Sequence, residues 1–221
     1  MSEAFDRIRR ELFTAVIGDV LDAMGHRHQF LPPGLLPLTP GTRIVGRAMP
    51  VLEAAYPEGT GPGPLADTPF GLMFRALDDL RPGEIYVASG AALDFALWGG
   101  LMSTRAQHLR AAGAILDGYI RDTAEIRALN LPVFSRGAYA QDQGVRGKVL
   151  DFRTPITIGR VVLRDGDLIV ADDEGVLVVP REVEEEAIAA AFHKASVENR
   201  VAREIRDGMS SQEAFATFGI M

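Results

Sequence analysis

From Pro82 to Gly137 the chain alternates between two kinds of pattern. EIYVASG, AILDG and PVFSRG are short apolar runs bounded by glycine or proline, the signature of strands. Between them lie ALDFALWGG leading into LMSTRAQHLRAAG, a helix closed by Gly113, and the short helical segment TAEIRALN. Strand, helix, strand, helix, strand in succession predicts crossover connections and a mainly parallel sheet. Few architectures accept that order, so the chain is expected to be α/β.

The flanking segments extend this core. Phe5, Ile8, Leu12 and Phe13 recur at helical spacing, and TAVIGDVLDAM (14–24) reads as a second helix ending at Gly25. Four prolines and two glycines in FLPPGLLPLTPG (30–41) predict a connector lacking regular structure. TRIVGRAMPVLEA predicts one strand or two, followed by a Gly- and Pro-rich loop (56–69) and an amphipathic helix in FGLMFRALDDL. After Gly137 a β-rich portion is expected: TPITIG, RVVLRDGDLIVAD and EGVLVVP, with turn signals at Asp165-Gly166 and Glu174-Gly175. A long charged helix, about 181–207, closes the pattern and ends at Gly208. With no repeat and no clean linker, residues 1–221 are read as a single α/β domain with helical N- and C-terminal extensions.

Composition removes several function classes. The 221 residues are 47% apolar and 24% charged, an ordinary globular profile with ample length for a core. The formal net charge is −7 with acidic and basic residues interspersed. No basic stripe is available for a phosphate backbone, so no nucleic acid partner is expected. The absence of cysteine excludes disulfides, thiolate metal sites and cysteine nucleophiles, and fits a reducing compartment. MSEAFDRIRRELF has no apolar run of the secretory type, and VLVVP is far shorter than the roughly 20 residues a membrane span needs. A cytoplasmic location with no membrane association is expected. No G-x-S-x-G elbow, P-loop or G-x-G-x-x-G fingerprint occurs, which argues against a serine hydrolase, a P-loop NTPase and a typical dinucleotide enzyme.

Two strand-to-helix junctions carry the candidate chemistry, because ligands of parallel sheets collect at the carboxyl ends of strands. The first is WGGLMSTRAQ, where Gly99 and Gly100 leave the first helix N–H groups, through Leu101 and Met102, open to a carboxylate or phosphate. The second is DGYIRDTAEI, with Arg121 beside Asp122. Two readings fit this pair. Asp122 with Glu125 three residues on suits a helix cap, with Arg121 a solvated charge. Alternatively, Arg121 is a fixed cation and Asp122 a metal ligand in one pocket. Beside an anion-binding helix start, that second set suits an enolate.

The pieces WGGLMSTRAQ, GAILDGYIRDTAEIRALNLPVFSRG, TPITIG and VLRDGDLIVADDEGVLVVP, in that order, resemble the family that contains the regulator of ribonuclease E activity A and the 4-hydroxy-4-methyl-2-oxoglutarate aldolases. TAVIGDVLDAMG resembles that family's opening helix, so the likeness covers most of the chain. The resemblance implies a swivelling β/β/α sandwich-like core and a homotrimer or homohexamer in which the C-terminal helix packs on a neighbouring subunit. It also implies a divalent-metal-dependent lyase that cleaves or decarboxylates a small 2-oxo acid through pyruvate enolate. By the same resemblance Asp122 would bind Mg²⁺ or Mn²⁺ and Arg121 would face the keto oxygen and carboxylate. The amides around Gly99, Gly100, Leu101 and Met102 would hold the substrate carboxylate. One departure stands out: aldolase members carry an acidic residue where this chain has Gly100. Glu198 lies at about the spacing at which those members supply a glutamate from a neighbouring subunit; otherwise it is a solvated charge on a helix face. A non-catalytic binding protein, like the ribonuclease-inhibitor branch, is the rival implication. The loops at 56–69 and 138–150 are expected to shape the distal pocket.

Other polar groups are read as structural. His26 and His28 follow a helix-ending glycine without further ligands in sequence. Asp172-Asp173-Glu174-Gly175 lacks EF-hand spacing and fits a hairpin turn.

Overall fold

The computed structural model describes residues 3–56, 65, 67–89 and 94–220. The chain opens with helices α1 (Glu3–Glu11) and α2 (Thr14–Ala23), then strands β1 (Leu36–Pro37) and β2 (Ile44–Ala55) and helix α3 (Met73–Asp78). Next come β3 (Glu84–Ser89), β4 (Ala96–Trp98), α4 (Gly100–His108), β5 (Gly113–Leu116), β6 (Tyr119–Ile120), α5 (Thr123–Leu129) and β7 (Val133–Ser135). The remainder is β8 (Gly147–Phe152), β9 (Ile156–Ile158), β10 (Val161–Leu163), β11 (Leu168–Asp172), β12 (Gly175–Val179), α6 (Glu184–Arg206) and α7 (Ser211–Phe218).

The main sheet runs β1-β7-β5-β3-β2-β11-β12, with β8 also paired to β2. It is mixed, not mainly parallel as the alternation suggested. The parallel part is confined to β2–β3, β3–β5 and β5–β7, where helical crossovers join the strands. The pairings β1–β7, β2–β11, β11–β12 and β2–β8 are antiparallel. Connection length explains the difference: only Asp173 and Glu174 separate β11 from β12, and so short a turn can join only antiparallel neighbours. On one edge the long β2 pairs with β11 through Arg47 and then with β8 from Val51 onward. Pro50 falls in the gap between these partners, where its missing N–H interrupts no ladder.

Period-2 alternation divides the core. Tyr86 and Ala88 of β3 face a cluster with Met49, Leu97, Trp98 and Leu116, whereas Ile85 and Val87 face Ile158 and Leu163 of β9 and β10. A third cluster packs α1, α2 and α6 on β11 and β12, with Ile17, Leu21, Ala187 and Ala191 against Val170 and Leu177. Each fully buried aliphatic side chain here stabilises the fold by about 1.5–3 kcal/mol.

Three further differences have local causes. The proline-rich connector contains β1, which pairs Leu36 with Ser135. The segment expected as a loop at 138–150 ends in β8, whose Val149 pairs with Glu53 at a β-bulge. Beyond α6, Ser210 and Glu213 form a capping box that starts α7. Most of the loop expected at 56–69 lies outside the described residues. The acidic turn is structural, as expected: Asp172 accepts from Thr14 N (2.9 Å) and Thr14 Oγ1 (2.8 Å) at the start of α2, and Asp173 accepts from Gly41 N.

Candidate active site

The short strands β4 and β6 form their own parallel pair, Ala96 opposite Tyr119 and Trp98 opposite Ile120. Their carboxyl ends therefore lie side by side, and α4 and α5 begin there together. Arg121 N donates to Trp98 O at 2.9 Å, closing the join. Gly118 permits the approach, since a Cβ there would sit 2.6 Å from Leu97 Cδ1. The pairing brings the two sequence-predicted junctions into one place.

Asp122 occupies the left-handed region, φ 56° and ψ 38°, which a short polar side chain tolerates better than most. Its carboxylate makes no capping bond to its own helix. Instead Oδ2 accepts from Gly100 N (3.0 Å) across the junction. Asp122 thus caps a helix, but that helix is α4. Both glycines leave room at this junction. A Cβ on Gly99 would lie 2.6 Å from Asp122 Oδ2, and one on Gly100 would lie 2.1 Å from Glu125 Oε2.

Arg121 donates from Nη1 to Asp142 Oδ1 (2.7 Å), and its Nε lies 3.7 Å from Asp122 Oδ2. Among the described residues its Nη2 has no protein partner. Asp142 is held by its own turn, Oδ2 accepting from Gly144 N (2.9 Å). Asp142 and Gln143 also line the pocket, though neither was singled out from sequence. An aspartate two residues before a glycine is the sequence mark of such an Asx turn. The segment 138–150 thus supplies the charged end of the pocket.

The first backbone bond of α4 runs from Ser103 N to Gly99 O (3.0 Å), so the N–H groups of Gly100, Leu101 and Met102 have no acceptor within the helix. Asp122 takes the first. The other two face a helix start whose dipole favours an anion. Trp98, buried at the base, is locked by its indole N–H donating to Ser103 Oγ (2.6 Å). The resulting pocket has a volume of about 430 Å³ and reaches from Arg121, Asp122 and Asp142 to Phe70, Phe74 and Leu101. A second recess, lined by Thr123 and Tyr139, lies against the same Arg121 and Asp122.

Glu198 is not brought to this pocket within the chain. It pairs with Lys194 (2.8 Å), which also reaches Asp19 (3.2 Å); these carboxylates, Glu198 foremost, raise the Lys194 pKa. Among the described residues no three His, Cys, Asp or Glu side chains gather into a metal cage. A divalent ion would therefore rest on Asp122 with waters and ligand oxygens, an arrangement that suits Mg²⁺ or Mn²⁺. Asp122 has room for it: its side chain is 41% exposed and only Oδ2 is engaged. Glu53 Oε1 and Tyr86 OH on the sheet and Gln143 Nε2 in the segment before β8 are buried without a hydrogen-bond partner among the described residues. Burial pushes the Glu53 carboxyl up to about 8.

Fold and site together define a mixed α/β protein with an arginine–aspartate pair set against a helix start at adjoining strand ends. Residues 14–178 match the family described as RraA-like (Aldolase/RraA), and the chain belongs to that family. It is 30% identical over 207 residues to a Halalkalibacterium halodurans protein named "Putative 4-hydroxy-4-methyl-2-oxoglutarate aldolase", covering 93% of this chain and 90% of that one. It is 28% identical to Protein DlpA of Legionella pneumophila across 91% of this chain, but spans only 31% of that protein's length. An uncharacterized protein from Pseudomonas syringae superposes with a TM-score of 0.85 at 28% identity, covering 99% of this chain and 95% of that one. Streptomyces coelicolor RraAS2, described as an unusual member of the RNase ES inhibitor RraA family, shares the fold with a TM-score of 0.77 at 24% identity, covering 90% and 95%. Among the described residues no helix is long and apolar enough to cross a membrane.

Proposed function

We propose that the protein is a divalent-metal-dependent carbon–carbon lyase that acts on small 2-oxo acids and releases pyruvate. Its reaction is aldol cleavage of the 4-hydroxy-4-methyl-2-oxoglutarate type, decarboxylation of oxaloacetate, or both. The observation that carries this reading is the placement of Arg121 and Asp122 against the α4 start, where the Leu101 and Met102 amides lack a helix acceptor. These amides receive the substrate carboxylate, and Arg121 faces the 2-oxo oxygen. As the bond beyond C3 breaks, its electron pair moves into the oxo group, and the guanidinium stabilises the negative charge that develops there. Mg²⁺ or Mn²⁺ held on Asp122 would supply further Lewis-acid polarisation of that oxygen. The enolate then takes a proton at C3 to become pyruvate. Aldol cleavage also needs a base for the distal hydroxyl, and Glu198 from a second subunit of a trimer or hexamer is the candidate. Decarboxylation needs none.

One observation favours a second reading, a non-catalytic binder of the same fold. Each charged group already has a partner within the chain, Arg121 in Asp142 and Asp122 in Gly100 N, so the arrangement stands without a ligand. Pyruvate release from both substrates with Mg²⁺, then with chelator, separates the readings when Asp122→Asn is run alongside. Asparagine tolerates the left-handed backbone and keeps an acceptor for Gly100 N, so Tm should change by less than about 3 °C. Chelator-sensitive release that falls about a hundredfold or more in the variant is expected. Absence of turnover in the wild type would support the binder.

A further inference from the structure

Beyond Arg121 and Asp122 the pocket changes character. One wall is Phe70, in the turn before α3, with Met73, Phe74 and Leu77 of α3; the other includes Leu101 and Met102. Phe70 and Phe74 pack edge to face, centroids 5.7 Å apart at 77°. Even so Phe74 remains 56% exposed and Leu101 86% exposed, so within the single chain the pocket presents uncovered hydrocarbon at its mouth.

Charge is arranged against a second anionic group. Among the described residues the lining holds two cations, Arg105 and Arg121, against Asp78, Asp122 and Asp142. Both cations are already paired: Arg121 with Asp142, and Arg105 through Nε with Asp78 at 2.8 Å across the gap between α3 and α4. The residues outside the described set include no lysine, arginine or histidine. A distal carboxylate would meet aromatic carbon, or would share the exposed Arg105 guanidinium with Asp78 in a lining whose acidic groups outnumber its cations. An apolar group would be buried there favourably.

Resting on the 2-oxo-acid reading of the site, we propose that the preferred substrate carries an aryl or branched alkyl group where a dicarboxylic substrate has its second carboxylate. It is a 4-hydroxy-2-oxo acid with a hydrocarbon substituent on C4, cleaved to pyruvate and an apolar aldehyde. The C3–C4 bond breaks with its electron pair passing to the pyruvate enolate. The C4 hydroxyl gives up its proton and becomes the aldehyde carbonyl, and C3 takes a proton. Nothing is oxidised or reduced overall.

The test compares kcat/KM of the full chain with Mg²⁺ for 4-hydroxy-2-oxo-4-phenylbutanoate and for 4-hydroxy-4-methyl-2-oxoglutarate. The aryl substrate should be favoured about tenfold or more, the range that pocket contacts of this kind provide. Phe74→Ala should lower that advantage about tenfold, mainly through KM, and Leu101→Arg should shift preference toward the dicarboxylate. Arg105→Gln should change neither substrate by more than about threefold, as fits removal of an exposed ion pair. A preference for the dicarboxylate, or its selective collapse in Arg105→Gln, would overturn this assignment and leave the lyase reading standing. Cleavage of neither substrate would overturn this assignment, and pyruvate release from oxaloacetate would then decide whether the lyase reading stands.

Discussion

Glu53 and the glycines of the junctions show how single residues are held in costly states. Glu53 is 1% exposed at the β2 bulge, and burial raises its pKa from 4.5 to about 8. Burial, and secondarily the Glu53 charge, also raise the nearby Tyr86 phenol well above its usual value. A carboxyl whose folded-state pKa is raised favours the native state while neutral. Its contribution is fully present below the unfolded pKa and is lost as pH climbs through the folded one. Wild-type Tm should therefore fall between about pH 5 and pH 9, and Glu53→Gln should flatten that slope. Equal slopes in the two proteins would assign the effect elsewhere. The glycines differ in what they face. A Cβ on Gly113 would meet the backbone oxygen of Pro132 at 2.2 Å and Ile44 Cδ1 at 2.7 Å, whereas one on Gly100 meets first the movable end of Glu125. Chemical denaturation should show Gly113→Ala costing about 3 kcal/mol or more and Gly100→Ala about 1 kcal/mol or less. The reverse order would mean that Glu125 is rigidly held.

At the scale of elements, helix starts are capped from other parts of the chain. Asp172 on β11 receives both Thr14 N and Thr14 Oγ1, so a buried carboxylate of the sheet satisfies the first orphan N–H of α2. Asp172→Ala should cost about 1–3 kcal/mol in equilibrium unfolding, because buried donors are left without acceptors. A change below about 0.5 kcal/mol would show that water replaces the carboxylate. Asp122 does the same for α4 from the start of α5. Local reading marked Asp122 correctly as a residue at a helix start. It did not give the helix it serves, because the partner N–H lies 22 residues earlier.

For the whole molecule, stability should be uneven. The centre of the main sheet, β2, β3 and β5, is covered on both faces by the first two apolar clusters, while α7 buries only Ala214. Native-state hydrogen exchange should find the slowest amides in β3 and β5, near the global unfolding free energy, and the fastest helical ones in α7. The candidate site lies between these extremes, on the small β4–β6 sheet. Slow exchange in α7 would point to cover that this chain alone does not provide.

The sequence by itself determined the strand–helix alternation, the hairpin at Asp173-Glu174 and the two junctions that carry Gly99–Met102 and Arg121–Asp122. Each is written in local periodicity or in turn chemistry within a few residues. Tertiary structure alone decided that the sheet is mixed, because β8 and β11 both return to one edge of β2. It alone brought Asp142 onto Arg121, and it aimed the Asp122 carboxylate at Gly100. It also set Phe70 and Phe74 opposite Leu101. These contacts join segments about 20 to 130 residues apart, and their geometry follows from sheet pairing and close packing, which no short window of sequence encodes.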